Sequence, residues 1–203
     1  MTTVLVIGNG ESRKDIDVAK YIRDYDTIGC NAIHRDAEVD NIVCCDRRMV
    51  EEAVNSENTK HSNIYVRPDW YNYFRKIRKD KRIQQVPDLP YTGTQRQDNP
   101  IHWGSGPYAV LLGAVMNYET VMLMGFDLYP KNDKVNNCYK GTENYAAADA
   151  KPVDHKYWQY QIKQVFLHYP QKEFIIWNNP DWKLPLDWRL NNVSFESFYQ
   201  NAS

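Results

Sequence analysis

The sequence "VLVIGNGESRKDID", residues 4–17, opens with apolar β-formers that stop at Gly8-Asn9-Gly10, after which charged residues follow. A short apolar run that ends in glycine is typical of a strand buried on both faces of a parallel sheet. Apolar residues at helical spacing over residues 15–23 predict a helix directly afterwards. A strand, a tight turn and a helix in this order predict an α/β fold.

The same alternation continues along the rest of the chain. Short apolar runs predict further strands at residues 26–31, 40–46, 63–68, 120–127 and 172–177. Helical spacing predicts helices at residues 49–55, 71–82, 104–118 and 154–169, and proline and glutamine predict an irregular loop at residues 84–99. We therefore expect a single α/β domain over residues 1–203, with a mostly parallel twisted sheet and helices on both of its faces.

Composition narrows the class of function. The 25 basic and 26 acidic residues nearly balance, so no strong field favours nucleic acid or an anionic membrane. No apolar stretch has membrane-spanning length and the chain enters its first strand without a signal peptide, so we expect a cytoplasmic protein with no integral membrane segment. The four cysteines lack C-x-x-C spacing and are expected to be reduced, with Cys44 and Cys45 on opposite faces of a strand.

The carboxyl ends of the predicted strands carry polar or glycine-rich segments, namely Gly8-Asn9-Gly10, Asn31, Asp46 and Gly125-Phe126-Asp127. Because the carboxyl ends of parallel strands meet at one edge of a sheet, where α/β folds bind ligands, these segments predict a binding site. The first turn is either a tight turn or a loop whose N–H groups cradle a phosphate. Arg13 stands where the dinucleotide fingerprint needs its third glycine and no Walker pattern is present, so neither a dehydrogenase nor a P-loop protein is indicated.

A polar segment separates the strand at residues 120–127 from the last helix. Residues 131–152 are rich in Asn, Lys, Gly and Ala, and a structureless stretch of this length is typical of a functional lid or of disorder. The helix that follows has Asp154 as its expected N-cap. The 15 tyrosines suit a sugar- or nucleotide-binding surface and equally suit ordinary packing.

The segments "GNGES", "DID", "CN", "GSG" and "GFDLY" occur in this order, and together they resemble the bacterial family 42 sialyltransferases over residues 4 to about 177. The resemblance implies a Rossmann-like or GT-A-like nucleotide-binding fold. It also implies transfer of a sugar, sialic-acid-like or of another kind, from a CMP-activated donor to a glycan acceptor, with inversion and without a metal. The glycine-rich start is also similar to a broader group that resembles the archaeal 6-hydroxymethylpterin diphosphokinases.

The resemblance also implies which residues hold the nucleotide-sugar donor. The implied positions are Gly8, Asn9, Gly10, Ser12, Asn31, Asp46, Ser105, Gly106, Gly125 and Phe126. Ser105 and Gly106 open a helix whose free N–H groups and dipole favour an anion, although Ser105 serves equally well as a simple N-cap. Asp127 is expected to hold its turn rather than to bind the donor.

Three residues match the catalytic positions of the family. Tyr129 and Tyr139 are expected to donate hydroxyl hydrogen bonds to the departing phosphate. His155 is expected to take the proton from the acceptor hydroxyl, since imidazole can do so near neutral pH. Two alternatives stay open: a chance match of Tyr139 among 15 tyrosines, and His155 as a solvated residue at a helix start.

The chain departs from the family at Asp46, where the sialyltransferases have asparagine. An aspartate accepts hydrogen bonds from ribose hydroxyls, but it repels a phosphate unless a cation intervenes. It is more similar to the diphosphokinase group, whose chemistry needs Mg²⁺. Asp46 as the N-cap of the next helix is a further alternative. We therefore expect no cofactor for a sialyltransferase-like enzyme, and Mg²⁺ at Asp46 for a phosphotransferase.

Three functions follow from these patterns. The first is a glycosyltransferase that acts on a nucleotide-sugar donor and a glycan acceptor. The second is a Mg²⁺-dependent, diphosphokinase-like phosphotransferase, and the third is a non-catalytic module that binds a nucleotide or a sugar. The resemblance also makes a homo-oligomer plausible, and richness in Asn, Lys and Tyr hints at an AT-rich bacterial or viral genome.

Overall fold

The computed structural model describes residues 2–198 of the chain. Within this range the strands are β1 (Thr3–Ile7), β2 (Asp26–Cys30), β3 (Asn41–Cys44), β4 (Asn63–Val66), β5 (Ile83–Gln85), β6 (Thr120–Met124), β7 (Glu173–Asn178) and β8 (Val193–Ser197). The α-helices are α1 (Ala19–Ile22), α2 (Arg47–Asn55), α3 (Pro68–Tyr71), α4 (Ser105–Val115) and α5 (Lys156–His168). The strands form one parallel sheet in the order β5-β4-β3-β2-β1-β6-β7-β8.

The strand order reverses direction at β1, which pairs with both β2 and β6. Leu5 and Ile7 of β1 pack into one core cluster, together with residues of α2. Val4 and Val6 point to the opposite cluster, together with residues of α4 and α5. Helices therefore cover both faces, and a crevice opens between β1 and β6 at the carboxyl edge of the sheet, as expected at a topological switch point.

Helix α4 is buried on nearly all sides. Its residues from Pro107 to Ala114 are buried, and it packs between the sheet and α5. A helix that is apolar all round needs such a position, because no face of it gains from contact with water. The burial fixes the place of the α4 N-terminus at the sheet edge.

The predicted fold class is confirmed, and so are the six predicted strands. The sequence patterns missed β5, which begins at the margin of the expected loop with only three residues, and β8 near the end of the described range. The predicted helix at residues 71–82 instead begins with α3 and continues as a π-helical turn, Asn72–Ile77. This wider turn leaves Phe74 buried but Ile77 70% exposed.

The cysteines lie where the sequence places them. Cys44 and Cys45 belong to different core clusters and so lie on opposite faces of the sheet, as predicted. All four cysteines are free thiols. Among residues 2–198, no helix combines the length and the apolar character that crossing a membrane would require.

Candidate functional site

A cavity of about 320 Å³ lies at the carboxyl edge of the sheet, across the ends of β3, β2, β1 and β6. The N-terminal ends of α4 and α5 close one side of it. Three strand spacings, about 14 Å in total, separate β3 from β6. Most of the predicted site residues line it, namely Gly8, Asn9, Gly10, Asn31, Asp46, Ser105, Gly106, Gly125, Phe126, Tyr129 and His155. Ser12 and Tyr139 are not among the lining residues.

The two glycines of the first turn allow β1 and β6 to approach closely. The Gly8 N–H donates to the Met124 carbonyl (2.8 Å) and the Gly10 N–H donates to the Gly125 carbonyl (2.7 Å). A Cβ at Gly8 would lie 2.6 Å from the Gly125 oxygen, which is closer than real Cβ contacts. Both N–H groups are thus used inside the protein, and the turn has a structural reason for its glycines.

Arg13, which replaces the third glycine of the dinucleotide pattern, holds this turn from behind. Its side chain is buried, and its Nε donates to the Gly8 carbonyl at 2.6 Å. The remaining nitrogens bond to the Asp36 carboxylate (3.0 Å), the Tyr139 hydroxyl (2.8 Å) and the Asn9 side-chain oxygen (3.4 Å). A buried cation with this many partners fixes the path of the loop.

The structure does not bring Tyr139 to the cavity. Its hydroxyl donates to Asp36 (2.5 Å) and accepts from Arg13, and its ring packs into the core cluster that contains α2. Burial raises the pKa of Tyr139, so the phenol stays protonated in this network. Arg13 and Asp36 hold the hydroxyl behind the loop, and the expected contact of Tyr139 with a phosphate stays a prediction.

Asp127 holds its turn, as expected, and it also accounts for Ser12. The Asp127 carboxylate accepts from the Ser12 N–H (2.9 Å), from the Ser12 hydroxyl and from the Asn178 amide (3.3 Å). A Cβ at Gly10 would lie 2.4 Å from this carboxyl group. The Ser12 hydroxyl is therefore turned toward Asp127 rather than toward the cavity.

Ser105 connects three elements at the centre of the cavity wall. Its hydroxyl donates to the Asn31 side-chain oxygen (2.8 Å) and accepts from the Cys45 N–H (3.0 Å). This arrangement ties the ends of β2 and β3 to the start of α4. The N–H groups of Ser105 and Gly106 find no acceptor within residues 2–198. They form a cavity wall at the positive end of the α4 dipole, where an anion is favoured.

Asp46 occupies the N-cap position of α2, but its side chain makes no capping hydrogen bond. It is exposed at the β3 end of the cavity. The neighbouring Arg47 pairs with Glu51 (3.0 Å) instead of with Asp46. The carboxylate is therefore available to a ligand. Among residues 2–198, no group of three or more His, Cys, Asp or Glu side chains is arranged to hold a metal ion.

Tyr129 and His155 lie together at the other end of the cavity. Their ring centroids are 5.4 Å apart, and the Tyr129 hydroxyl donates to the Lys183 carbonyl (3.0 Å). His155 occupies the N-cap position of α5, where Asp154 accepts a hydrogen bond from the Lys156 N–H (3.0 Å). The expected N-cap, Asp154, therefore lies one residue before the actual N-cap, although its carboxylate still accepts from the first N–H of the helix. The His155 imidazole makes no hydrogen bond within residues 2–198.

Tyr145 is a lining residue that the sequence patterns missed. Its hydroxyl oxygen accepts from the Asn9 amide (3.3 Å) and from the Ala32 N–H (3.4 Å). Burial raises the pKa of Tyr145, so its proton is retained and remains available for donation. Its place in the expected lid is the only signal in the sequence, and Tyr139 shares that signal.

Residues 131–152, the expected lid, fold over the first turn. The Cys138 N–H donates to the Asn9 carbonyl (2.8 Å), and the Asn136 side chain accepts from the Glu11 N–H (2.9 Å). Glu11 also pairs with Lys131 (3.2 Å) and Lys140. The segment thus covers one side of the cavity, and its ordering by a donor stays a prediction.

The cavity wall carries acidic side chains. Within residues 2–198, no lysine or arginine lines the cavity. Its ionisable side chains include Asp46, Asp127 and His155. Cys30 also lines it, but burial raises the pKa of this thiol to about 12, so the thiol is not ionised at neutral pH.

Comparison of the chain with protein-family models, with curated proteins and with solved structures finds no match. The relation to the sialyltransferases therefore rests on the motifs in the sequence and stays a prediction.

Proposed function

We propose that the chain is a glycosyltransferase that takes a sugar from a CMP-activated donor. The observation that carries this proposal is the cavity wall, which offers N–H and amide groups to an anion but, among the described residues 2–198, no lysine or arginine. A CMP-linked sugar has a single phosphodiester group, whose one negative charge suits a helix N-terminus. A nucleoside diphosphate or triphosphate brings more charge and would need a metal ion to offset the repulsion from Asp46.

In this proposal the donor lies along the cavity. Asp46 accepts from the ribose hydroxyls at the β3 end, and Asn31 and the α4 N-terminus hold the phosphate near the middle. The sugar then lies toward Tyr129 and His155. This order follows the lining residues from Asp46 to His155 and would bring the acceptor hydroxyl beside the imidazole.

The proposed reaction is a direct displacement. His155 takes the proton from an acceptor hydroxyl, whose oxygen attacks the anomeric carbon. The bond between that carbon and the phosphate oxygen breaks, and CMP leaves with the electron pair. The α4 N–H groups and the Tyr145 hydroxyl stabilise the negative charge on the phosphate, because preorganised donors need no rearrangement as charge develops. The sugar is transferred with inversion, and we expect a glycan acceptor and a cytoplasmic enzyme.

Thermal unfolding with CMP, CDP and ATP, each with Mg²⁺ and with EDTA, tests the proposal. A ligand that binds only the folded state stabilises it by about 2.7 kcal/mol at a hundredfold excess over Kd. We expect CMP to raise Tm equally with Mg²⁺ and with EDTA. Stabilisation by ATP alone, and only with Mg²⁺, would contradict the proposal.

A second candidate function is favoured by the free carboxylate of Asp46. Mg²⁺ is often bound by one or two carboxylates together with substrate phosphates, and a Mg²⁺-dependent phosphotransferase would use Asp46 in this way. Asp46→Asn separates the two functions. It should abolish Mg²⁺-dependent nucleotide binding in a phosphotransferase, whereas CMP binding in a glycosyltransferase should fall only modestly.

A further inference from the structure

The lid is joined to the body of the protein at two separate places. Residues 136–139 are bonded directly to the first turn, where Cys138 alone makes two hydrogen bonds. Residues 142–145 form the second connection, mainly to the 3-10 helix Asn31–Arg35 that follows β2 and to helix α2. This second connection includes the lining residue Tyr145.

Arg35 is the centre of the second connection. Its Nε and one terminal nitrogen bond to the two carboxylate oxygens of Glu52, at 2.6 and 2.8 Å. The same guanidinium donates to the Thr142 hydroxyl (2.8 Å) and to the Glu143 carbonyl (3.0 Å). Glu52 in turn accepts from the Asn144 amide (2.9 Å). One ion pair thus holds three consecutive lid residues.

The same guanidinium lies near the ring of Tyr145. The Arg35 Cζ is 5.7 Å from the centroid of the Tyr145 ring, within the range of a cation–π contact. The Tyr145 hydroxyl makes only the long hydrogen bonds to Asn9 and Ala32 described above. Glu52 is itself fixed by a contact with the buried His34 (3.3 Å). The Tyr145 ring also lies 5.4 Å from the Tyr139 ring. Tyr145 is therefore held by its ring contacts and by the lid residues beside it more than by its hydroxyl hydrogen bonds.

We propose that Arg35 and Glu52 are positioning residues that hold Tyr145 in the cavity wall, where its hydroxyl can donate to the phosphate of the ligand. The inference rests on the proposed function for the identity of the ligand. Loss of Arg35 removes the donor to Thr142 and Glu143, and loss of the Glu52 carboxylate weakens the bond to Asn144. In either case we expect the Tyr145 hydroxyl to leave the Ala32 N–H. Neither Arg35 nor Glu52 lines the cavity, so in this proposal each acts on the ligand through Tyr145 and not by direct contact.

Arg35→Gln and Glu52→Gln test this role, with Glu51→Gln as a matched control on the same helix. Hydrogen exchange of residues 142–145 and of Ala32 is measured without ligand, and the affinity for CMP is measured by calorimetry. We expect each test variant to speed this exchange and to weaken CMP binding, each by about tenfold, while the control changes neither. Arg35→Lys should not restore the wild-type values, because an ammonium group cannot replace the bidentate fork.

A double-mutant cycle then separates positioning from a general loss of structure. In a Tyr145→Phe background, Arg35→Gln should no longer weaken CMP binding, since the hydroxyl that it positions is gone. An undiminished effect in that background would refute the inference, as would unchanged exchange in Arg35→Gln. If wild-type protein does not bind CMP, the proposed function fails, whereas the exchange data still decide whether the ion pair holds Tyr145.

Discussion

The replacement of Arg13 by methionine tests the claim that this residue holds the first turn in place of a third glycine. Methionine fills a similar volume but donates no hydrogen bonds. The Gly8 carbonyl and the Tyr139 hydroxyl lose bonds of 2.6 and 2.8 Å, and Asp36 loses its ion pair. We expect Arg13→Met to fold with reduced stability and with a weaker affinity for CMP.

The size of the loss follows from the burial of these partners. Removal of one member of a buried ion pair costs about 3–5 kcal/mol. The Asp36 side chain is 39% exposed and can regain water, so the lower value applies, near 3 kcal/mol. For a protein of this size each kcal/mol lowers Tm by about 2–4 °C, which gives a decrease of about 9 °C.

Urea unfolding followed by tryptophan fluorescence measures the change in the free energy of unfolding. Arg47→Met is the matched control, because Arg47 is 52% exposed and pairs with Glu51 on the helix surface. We expect the control to lose less than about 1 kcal/mol. A loss below about 1 kcal/mol in Arg13→Met as well would refute the role assigned to this residue.

Three further predictions concern single residues. Gly8→Ala should lose about 2 kcal/mol in urea unfolding, because its Cβ would meet the Gly125 oxygen at 2.6 Å; wild-type stability would contradict this. His155→Gln should bind CMP normally but lose turnover by about 10²–10⁴-fold in a transfer assay, and normal turnover would exclude it as the base. Arg82 hydrogen bonds lower the pKa of Asp80 below 3.8, so this contribution to stability is present above that pH and is lost as the pH falls further. Asp80→Asn should therefore show a smaller acid-induced loss in Tm than the wild type.

The sequence predicted the fold because the apolar runs that mark its strands are local patterns. Apolar runs of four to six residues mark β1, β2, β3, β4, β6 and β7, and a strand buried on both faces can have almost no polar residues. The two missed strands lie at the edges of the sheet, where only one neighbour pairs and the apolar signal is weaker. The π-helical turn was also missed, because a single wider turn is too short to leave a repeat in the sequence.

By itself, the sequence determined which residues meet at the sheet edge, because parallel strands bring their carboxyl ends together whatever the packing. Only the tertiary structure decided what each of them does there. Gly8 and Gly10 donate to β6, and Tyr139 lies behind the loop with Arg13. Tyr145 takes a place in the cavity wall. Hydrogen-bond partners distant in sequence set these roles, and the identity of a residue does not specify which partner it meets.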